Sequence, residues 1–225
     1  MSELNPRSRK VRRWKRRKKA RPQELLTAAL DLFAERGFAA TRMEDVAKRA
    51  GVAKGTLYLY FSNKDELFKA AVRENTLPIL GDIEAVIDNF EGDSVNLFRE
   101  IVLRWWEQIG GFRPSDISKL LLAEAYNLPD LAKFYHDEVI LRSNEIVRRV
   151  LCRGVKRGEF RKPDPYLTEV IVAPLIMLLI SKHSFRNNQM APISSKVYLN
   201  NFIELCIHGI LRSPASIATN PDVPA

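Results

Sequence analysis

TRMEDVAKRAGVAKGTLYLYFSNKDELF, residues 41–68, decides the fold of this chain. Two short apolar patterns lie on either side of Gly51, and glycine suits the left-handed backbone of a tight turn after a helix. Ala47 is small enough to let a second helix cross the first closely, while Val52 and Leu57 are spaced to fill the interface between them. The spacing predicts two short helices joined by a turn, which is the helix-turn-helix arrangement.

Polar and aromatic side chains crowd the second of these helices. Lys54, Gly55, Thr56, Tyr58 and Tyr60 all lie within one short segment. In a helix-turn-helix the second helix enters the major groove of DNA through its N-terminal residues, so we expect this face to meet DNA. The alternative is an ordinary helical hairpin inside an all-α core, which a loose pattern of this kind does not exclude by itself.

The charge of the chain is concentrated at its start. The net charge is +9, from 36 basic and 27 acidic residues. Residues 1–21 hold eleven of the basic residues and one of the acidic ones, so the rest of the chain is close to neutral. Like charges repel, so we expect residues 1–19 to form a disordered basic arm. Such an arm binds a polyanion, either nucleic acid or an acidic membrane surface.

Neither an export signal nor a membrane span is predicted. The basic arm is not followed by the apolar stretch that a secretory signal needs. The most apolar segment, residues 170–181, is about twelve residues long and falls short of the ~20 that cross a bilayer. Cys152 and Cys206 lie far apart in apolar contexts and are interpreted as free thiols. We therefore expect a cytoplasmic protein that does not insert into a membrane.

The residue patterns do not favour an enzyme. The segment GVAKGT at 51–56 lacks the order of a phosphate-binding loop, and no serine lies in a nucleophile elbow. The three histidines, His136, His183 and His208, share no metal-ligand spacing. We accordingly expect no catalytic residues, no bound metal and no cofactor.

The rest of the chain also has a helical period, and strict strand alternation is missing. The predicted fold is all-α, with an N-terminal three-helix domain at 20–79 that contains the helix-turn-helix at about 42–61. A helical effector-binding and dimerisation domain follows at 80–212, and a flexible C-terminal tail at 213–225.

The motif resembles the DNA-binding domain of the TetR/AcrR family of bacterial repressors. TRMEDVAKRAGVAKGTLYLYFSNKDELF matches the family pattern nearly throughout, AALDLFAERGFAAT matches the preceding helix, and the resemblance covers about residues 22–75. LLLAEAYNLPDLAKFY and RGVKRGEF are similar, more weakly, to AefR-like members. The resemblance implies a homodimer without catalytic activity, which binds a near-palindromic double-stranded DNA operator and is released from it by a small apolar or amphipathic effector.

The resemblance also assigns roles to individual residues. It implies that Thr41 caps the second helix and touches phosphate, and that Arg42 reaches a base edge or phosphate. Lys54 and Gly55 would place backbone N–H groups at a phosphate, and Thr56 would contact a base. Tyr58 and Tyr60 would contact phosphate or face the groove, with core packing as the alternative for Tyr60. Lys64 would anchor a phosphate. By analogy with homeodomain arms, the minor groove would receive Arg12, Arg13, Arg16 and Arg17.

Two further surfaces are expected in the C-terminal half. The segments 166–180 and 197–211 are too apolar for a free surface and would form a four-helix bundle between two subunits. The residues assigned to this dimer face are Leu175, Leu178, Tyr198, Phe202 and Leu205. Aromatic side chains of the middle helices would line an effector cavity, with plain core packing as the alternative; those assigned are Trp105, Trp106 and Phe134.

Overall fold

The computed structural model describes residues 6–110, 127–184 and 194–211, with the side chains of residues 22–181 and 194–211 inside those ranges. The described backbone is helical between its turns, with one isolated bridge that pairs Phe160 with Leu211. The all-α prediction is therefore confirmed. A π-helical turn, His136–Ile140, joins α7 to α8. The helices are α1 Pro6–Ala40, α2 Met43–Arg49, α3 Lys54–Tyr58, α4 Lys64–Asn75, α5 Leu77–Asn89, α6 Ser94–Ile109, α7 Pro129–Tyr135, α8 Leu141–Lys156, α9 Leu167–Ser184 and α10 Ser195–Ile210.

The described residues divide into two compact units. The first unit contains α1 to α4 together with α7, and the second contains α5, α6 and residues from 136 onward. The division after α4 lies close to the domain boundary expected at 79, but α7 joins the first unit. The reason is a contact with α4, in which the guanidinium carbon of Arg73 lies 4.9 Å from the ring centroid of Phe134.

The first helix is longer than the sequence predicts from a proline near its first turn, Pro22, and a glycine at its end, Gly37. The helical course breaks at Gly37, its expected end, where φ is 81°, and helical residues follow up to Ala40. Its expected start near Pro22 is wrong, since the helical backbone continues back to Pro6. Arginine and lysine are strong intrinsic helix formers, which favours extending a helix that already exists. The side chains of Arg12, Arg13, Arg16 and Arg17 lie outside the described ones, and the disorder of the free arm stays a prediction.

An aromatic cluster holds the first unit together. The rings of Phe33, Phe38 and Phe68 are buried, with centroids 5.2 to 5.8 Å apart. Leu25 and Leu32 continue this buried face along α1, as the apolar stripe of that segment predicts. Tilted and edge-on aromatic pairs at such distances add stability beyond the area that they bury. The cluster therefore fixes α1 against α4.

Thr41 does not cap the second helix. Arg42 is the N-cap residue of α2, and no side chain makes a capping hydrogen bond there. The Thr41 side chain is 1% exposed, and its hydroxyl donates to the carbonyl oxygen of Gly37 at 2.7 Å, with that of Leu32 also within reach at 3.2 Å. The break at Gly37 leaves carbonyl oxygens without intrahelical partners, and these compete for the hydroxyl more strongly than the start of α2 does. The predicted phosphate contact of the Thr41 side chain is overturned for the same reason.

Lys64 is an internal anchor. Its ammonium donates to the carbonyl oxygens of Phe38 at 2.6 Å, Thr41 at 3.0 Å and Ala39 at 3.2 Å, and it lies 4.3 Å from the centroid of the Phe38 ring. Burial lowers the pKa of this ammonium below its ordinary value. All three of its N–H donors have acceptors at the end of α1. The predicted phosphate anchor is therefore corrected to an anchor for the polypeptide between α1 and α2.

In the second unit, two polar contacts fix the helices around an apolar core. Arg142 on α8 donates two hydrogen bonds to the carboxylate of Glu84 on α5, at 2.7 and 2.6 Å. Glu159, after α8, accepts from the backbone N–H of Ser94 at 2.8 Å and from Arg157 at 2.7 Å. Burial acts to raise the pKa of Glu159, but these hydrogen bonds outweigh it and lower the pKa to about 2.

We expect Lys64→Met to lower the free energy of unfolding by about 1–3 kcal/mol, because part-buried carbonyl oxygens lose their hydrogen bonds to the ammonium. Urea unfolding followed by far-UV circular dichroism measures this change. Lys54→Met is the matched control, because Lys54 is an exposed lysine of the same unit whose described ion pair lies at the surface, and it should leave unfolding nearly unchanged. If Lys64→Met unfolds like wild type but binds DNA more weakly, the original interpretation of Lys64 as a phosphate contact is correct.

Candidate DNA-reading surface

The turn between α2 and α3 has the geometry that the sequence predicts. Gly51 has a φ of 66°, a left-handed conformation that strains residues other than glycine. The backbone N–H of Val52 donates to the carbonyl oxygen of Ala47 at 2.9 Å and closes the turn. Val46, Ala47 and Leu57 are buried where the two helices meet. The helix-turn-helix prediction is confirmed, and the helical hairpin inside an all-α core is not what these residues form.

Burial of Leu57 exposes its neighbours on α3. Lys54, Gly55 and Tyr58 are exposed, with 42% of the Tyr58 side chain accessible, while Thr56 is half-buried. The ammonium of Lys54 lies 5.8 Å from the centroid of the Tyr58 ring. A side chain at Gly55 would meet nothing within 4 Å, so the backbone there is open to close approach. The structure therefore brings together on one surface four of the residues that the sequence assigns to DNA.

Ion pairs with the chain's own carboxylates lie beside this surface. The ammonium of Lys54 is 2.5 Å from a carboxylate oxygen of Glu44, and this hydrogen bond raises the pKa of Lys54 and lowers that of Glu44. Arg49 donates two hydrogen bonds to Glu35, at 2.9 and 2.7 Å, which lower the pKa of that carboxyl. Arg42 is exposed at the start of α2. These pairs are solvent-accessible, so phosphate can replace the carboxylates at small cost.

Leu59 and Tyr60 lie at the far end of α3. Tyr60 is half-buried, with its ring centroid 6.4 Å from that of Phe61, and both line an open groove of about 500 Å³ together with Tyr58 and Leu59. This position leaves both groove contact and packing open for Tyr60. Leu59 is 84% exposed, and sequence reasoning assigned it no contact. The signal was available in the helical period, which turns Leu59 outward once Leu57 faces inward.

The three expected effector residues belong to different units. Trp105 and Trp106 are half-buried on α6 of the second unit, with ring centroids 6.4 Å apart. Phe134 belongs to the first unit, and its grouping with the two tryptophans stays a prediction. Sequence reasoning also missed Gln108 and Asn144, whose side-chain oxygens are buried without a hydrogen-bond partner in the described structure. Only their polarity inside apolar helices could have indicated them.

Most of the expected dimer residues pack inside their own subunit. Leu175, Leu178 and Phe202 are buried, and Tyr198 is half-buried with its hydroxyl donating to a backbone carbonyl of α9 at 3.1 Å. Leu205 alone of these five is strongly exposed, at 75%. The assignment of Leu175, Leu178 and Phe202 is therefore wrong, while that of the half-buried Tyr198 stays a prediction. Both helices carry apolar residues on several sides, so the helical period could not tell the inner side from the outer one.

The exposed apolar side chains of these two helices lie on other faces. On α9 and just before it they recur at Tyr166, Val170 and Met177, and on α10 at Val197 and Leu205. The spacing of four and seven residues on α9, and of eight on α10, places each set on one helical side. We call these five residues the outer apolar stripe.

Within the described part of the chain, no helix is both long and apolar enough to cross a membrane.

The comparisons with known proteins agree with this geometry. The model of the bacterial regulatory proteins of the tetR family matches residues 25–71. The chain is 30% identical to the HTH-type transcriptional regulator YhgD of Bacillus subtilis, over 71% of this chain and 82% of that protein. It is 34% identical to the HTH-type transcriptional regulator AcrR of Shigella flexneri over 36% of this chain, and this match spans only 38% of that regulator.

A solved structure extends the likeness over most of the chain. The transcriptional regulator FadR from Bacillus subtilis, determined in complex with stearoyl-CoA, superposes with a TM-score of 0.70. The match covers 84% of this chain and 98% of FadR at 23% identity, which shows a shared fold. The motif, its geometry and these relatives lead to one conclusion: the chain belongs to the TetR family of bacterial regulatory proteins, which are DNA-binding transcriptional regulators and not enzymes.

Proposed function

We propose that the chain is a dimeric repressor that binds a near-palindromic operator and leaves it when a small apolar or amphipathic effector binds. The observation that carries this proposal is the helix-turn-helix, in which buried Leu57 turns Lys54, Gly55 and Tyr58 outward together. In this arrangement α3 enters the major groove, and Arg42 at the start of α2 contacts the phosphate backbone.

The double variant Thr56→Ala, Tyr58→Ala should lose its preference for the operator, because each lost base contact costs about 1–3 kcal/mol. Operator duplexes are first recovered by wild-type selection from random sequence, and binding is then measured by fluorescence anisotropy. Circular dichroism should show an unchanged helix content, since Leu57 is retained. If the double variant binds the operator with wild-type affinity, α3 does not recognise the operator sequence.

The basic arm provides the contrasting variant. We propose that the arm adds affinity through phosphate and minor-groove contacts and adds little sequence preference. Deleting residues 1–19 should flatten the slope of log affinity against log salt by roughly 5–7 for a dimer with three or four contacts per subunit. The ratio of operator to random-duplex affinity should change far less. An unchanged salt slope would show that the arm does not contact phosphate. A strong fall in the ratio of operator to random-duplex affinity would show that the arm contacts bases.

The outer apolar stripe supports a homodimer. Its side chains lie on α9 and α10, and burying Val170, Met177 and Leu205 against a second copy would remove a continuous apolar surface from water. A two-fold arrangement of two such helix pairs forms a four-helix bundle. It also presents two reading helices to the two halves of a palindrome.

Charges on this stripe should separate the subunits. The double variant Val170→Asp, Leu205→Asp places charges of one sign, which cannot pair with each other, where a dimer would desolvate them, while both sites are exposed in the single chain and leave its core intact. Sedimentation velocity should show a wild-type dimer at micromolar concentration and a variant monomer. Leu141→Lys, at an exposed leucine of α8, is the control and should stay dimeric. A monomeric wild type would refute the proposal.

We place the effector site inside the second unit, near Trp105. Arg153, near the end of α8, donates to the hydroxyl of Ser94 at the start of α6, at 3.3 Å, so the two helices run in opposite directions. Gln108 and Asn144 therefore lie towards the same end of the helix pair. Two buried amide oxygens without partners in the described structure need a hydrogen-bond donor, and we propose that the effector supplies it.

The double variant Gln108→Leu, Asn144→Leu should make the free protein more stable and the effector less active. Replacing an unpaired buried polar group by an apolar one removes its desolvation penalty, while the ligand loses its polar partners. A panel of long-chain alcohols, fatty acids and acyl-CoA esters is screened for release of wild type from the operator, where a coupling of about 1–3 kcal/mol is typical. If the double variant is less thermally stable than wild type and responds unchanged to the releasing compound, the two amides stabilise the fold and do not bind the effector.

A further inference from the structure

Leu59 is the most exposed large apolar side chain among the described residues, at 84%. It is the C-cap residue of α3 and keeps a helical backbone, with φ −70° and ψ −22°. Its backbone N–H donates to the carbonyl oxygen of Gly55 at 3.2 Å. Leu59 therefore continues the helical course of α3, and its side chain is presented on the helix and not on a loop.

The helical spacing places Leu59 beside Gly55 and Thr56. Residues three and four apart lie on one helix face, so these three residues form a short strip. The backbone at Gly55 is open, because a side chain there would meet nothing within 4 Å. The strip holds no ionisable group, and Lys54, at its edge, is held by Glu44. It is a weakly polar strip within the surface that is proposed to bind DNA.

The major groove offers one apolar group to such a strip. Thymine projects its C5-methyl group there, while the other bases present hydrogen-bond donors and acceptors. A leucine pressed against those polar groups would remove their water without replacing the hydrogen bonds, which is unfavourable. Against a methyl group, the same leucine removes apolar area from water on both sides. An exposed leucine at this position therefore discriminates in favour of thymine.

We propose that Leu59 is a specificity-determining residue that selects thymine, through its C5-methyl group, at one position of each operator half-site. The inference rests on the proposed entry of α3 into the major groove. It adds an apolar element to a surface whose other assigned contacts are polar or aromatic.

The test removes the methyl group and the leucine separately and together. Each thymine of an operator duplex selected by wild type is replaced in turn by deoxyuridine, which lacks only the C5-methyl group. Affinities are measured for wild type, Leu59→Ala, Leu59→Met and Leu141→Ala. Leu59→Met keeps a similar apolar volume, and Leu141→Ala truncates an exposed leucine in the second unit.

We expect one thymine per half-site whose replacement weakens wild-type binding about fourfold, which corresponds to the burial of one methyl group. Leu59→Ala should bind the thymine and deoxyuridine duplexes alike, while Leu59→Met and Leu141→Ala should keep the discrimination. The proposal is overturned if no thymine is sensitive in wild type, or if Leu59→Ala retains the full penalty, which would assign the methyl contact to another side chain. If wild type selects no duplex sequence at all, the proposed function fails, and the role of Leu59 fails with it.

Discussion

A single ammonium group, that of Lys64, fixes the position of α3. The break at Gly37 leaves the end of α1 with carbonyl oxygens that no helix satisfies, and Lys64 donates to three of them. The same ammonium lies over the ring of Phe38, which packs against Phe33 and Phe68. Because Lys64 opens α4, this contact fixes the start of α2 with respect to α4. The position of α3 follows through the Gly51 turn.

The helix-turn-helix could be predicted from sequence because its determinants are local. Gly51, Ala47 and Leu57 act within one turn or one helix crossing, and the structure has them as expected. Thr41 and Lys64 could not be predicted in the same way. Their side chains suit a cap and a phosphate contact by local rules, but their actual partners are backbone groups of α1. Such partners become visible only when the end of α1 is known.

The C-terminal half shows a different limit of sequence reasoning. Leu178 and Leu205 are equally apolar in the sequence, yet the first is buried within its subunit and the second is exposed. A helix that is apolar on several sides has a period but no unique inner face. Phe134 shows a related limit, because its partner Arg73 lies on a helix far away in sequence. The aromatic content predicted that these residues are packed, but it could not predict in which of the two units they pack.

The carboxylates beside α3 would make the proposed binding to DNA an exchange of anions. Glu44 pairs with Lys54 and Glu35 pairs with Arg49, so both cations already have an internal anion beside them in the free protein. A phosphate that took the place of either carboxylate would leave that carboxylate near the DNA backbone, where a poor fit brings two like charges close together. The surface proposed to bind DNA is thus screened by its own acidic residues in the free protein.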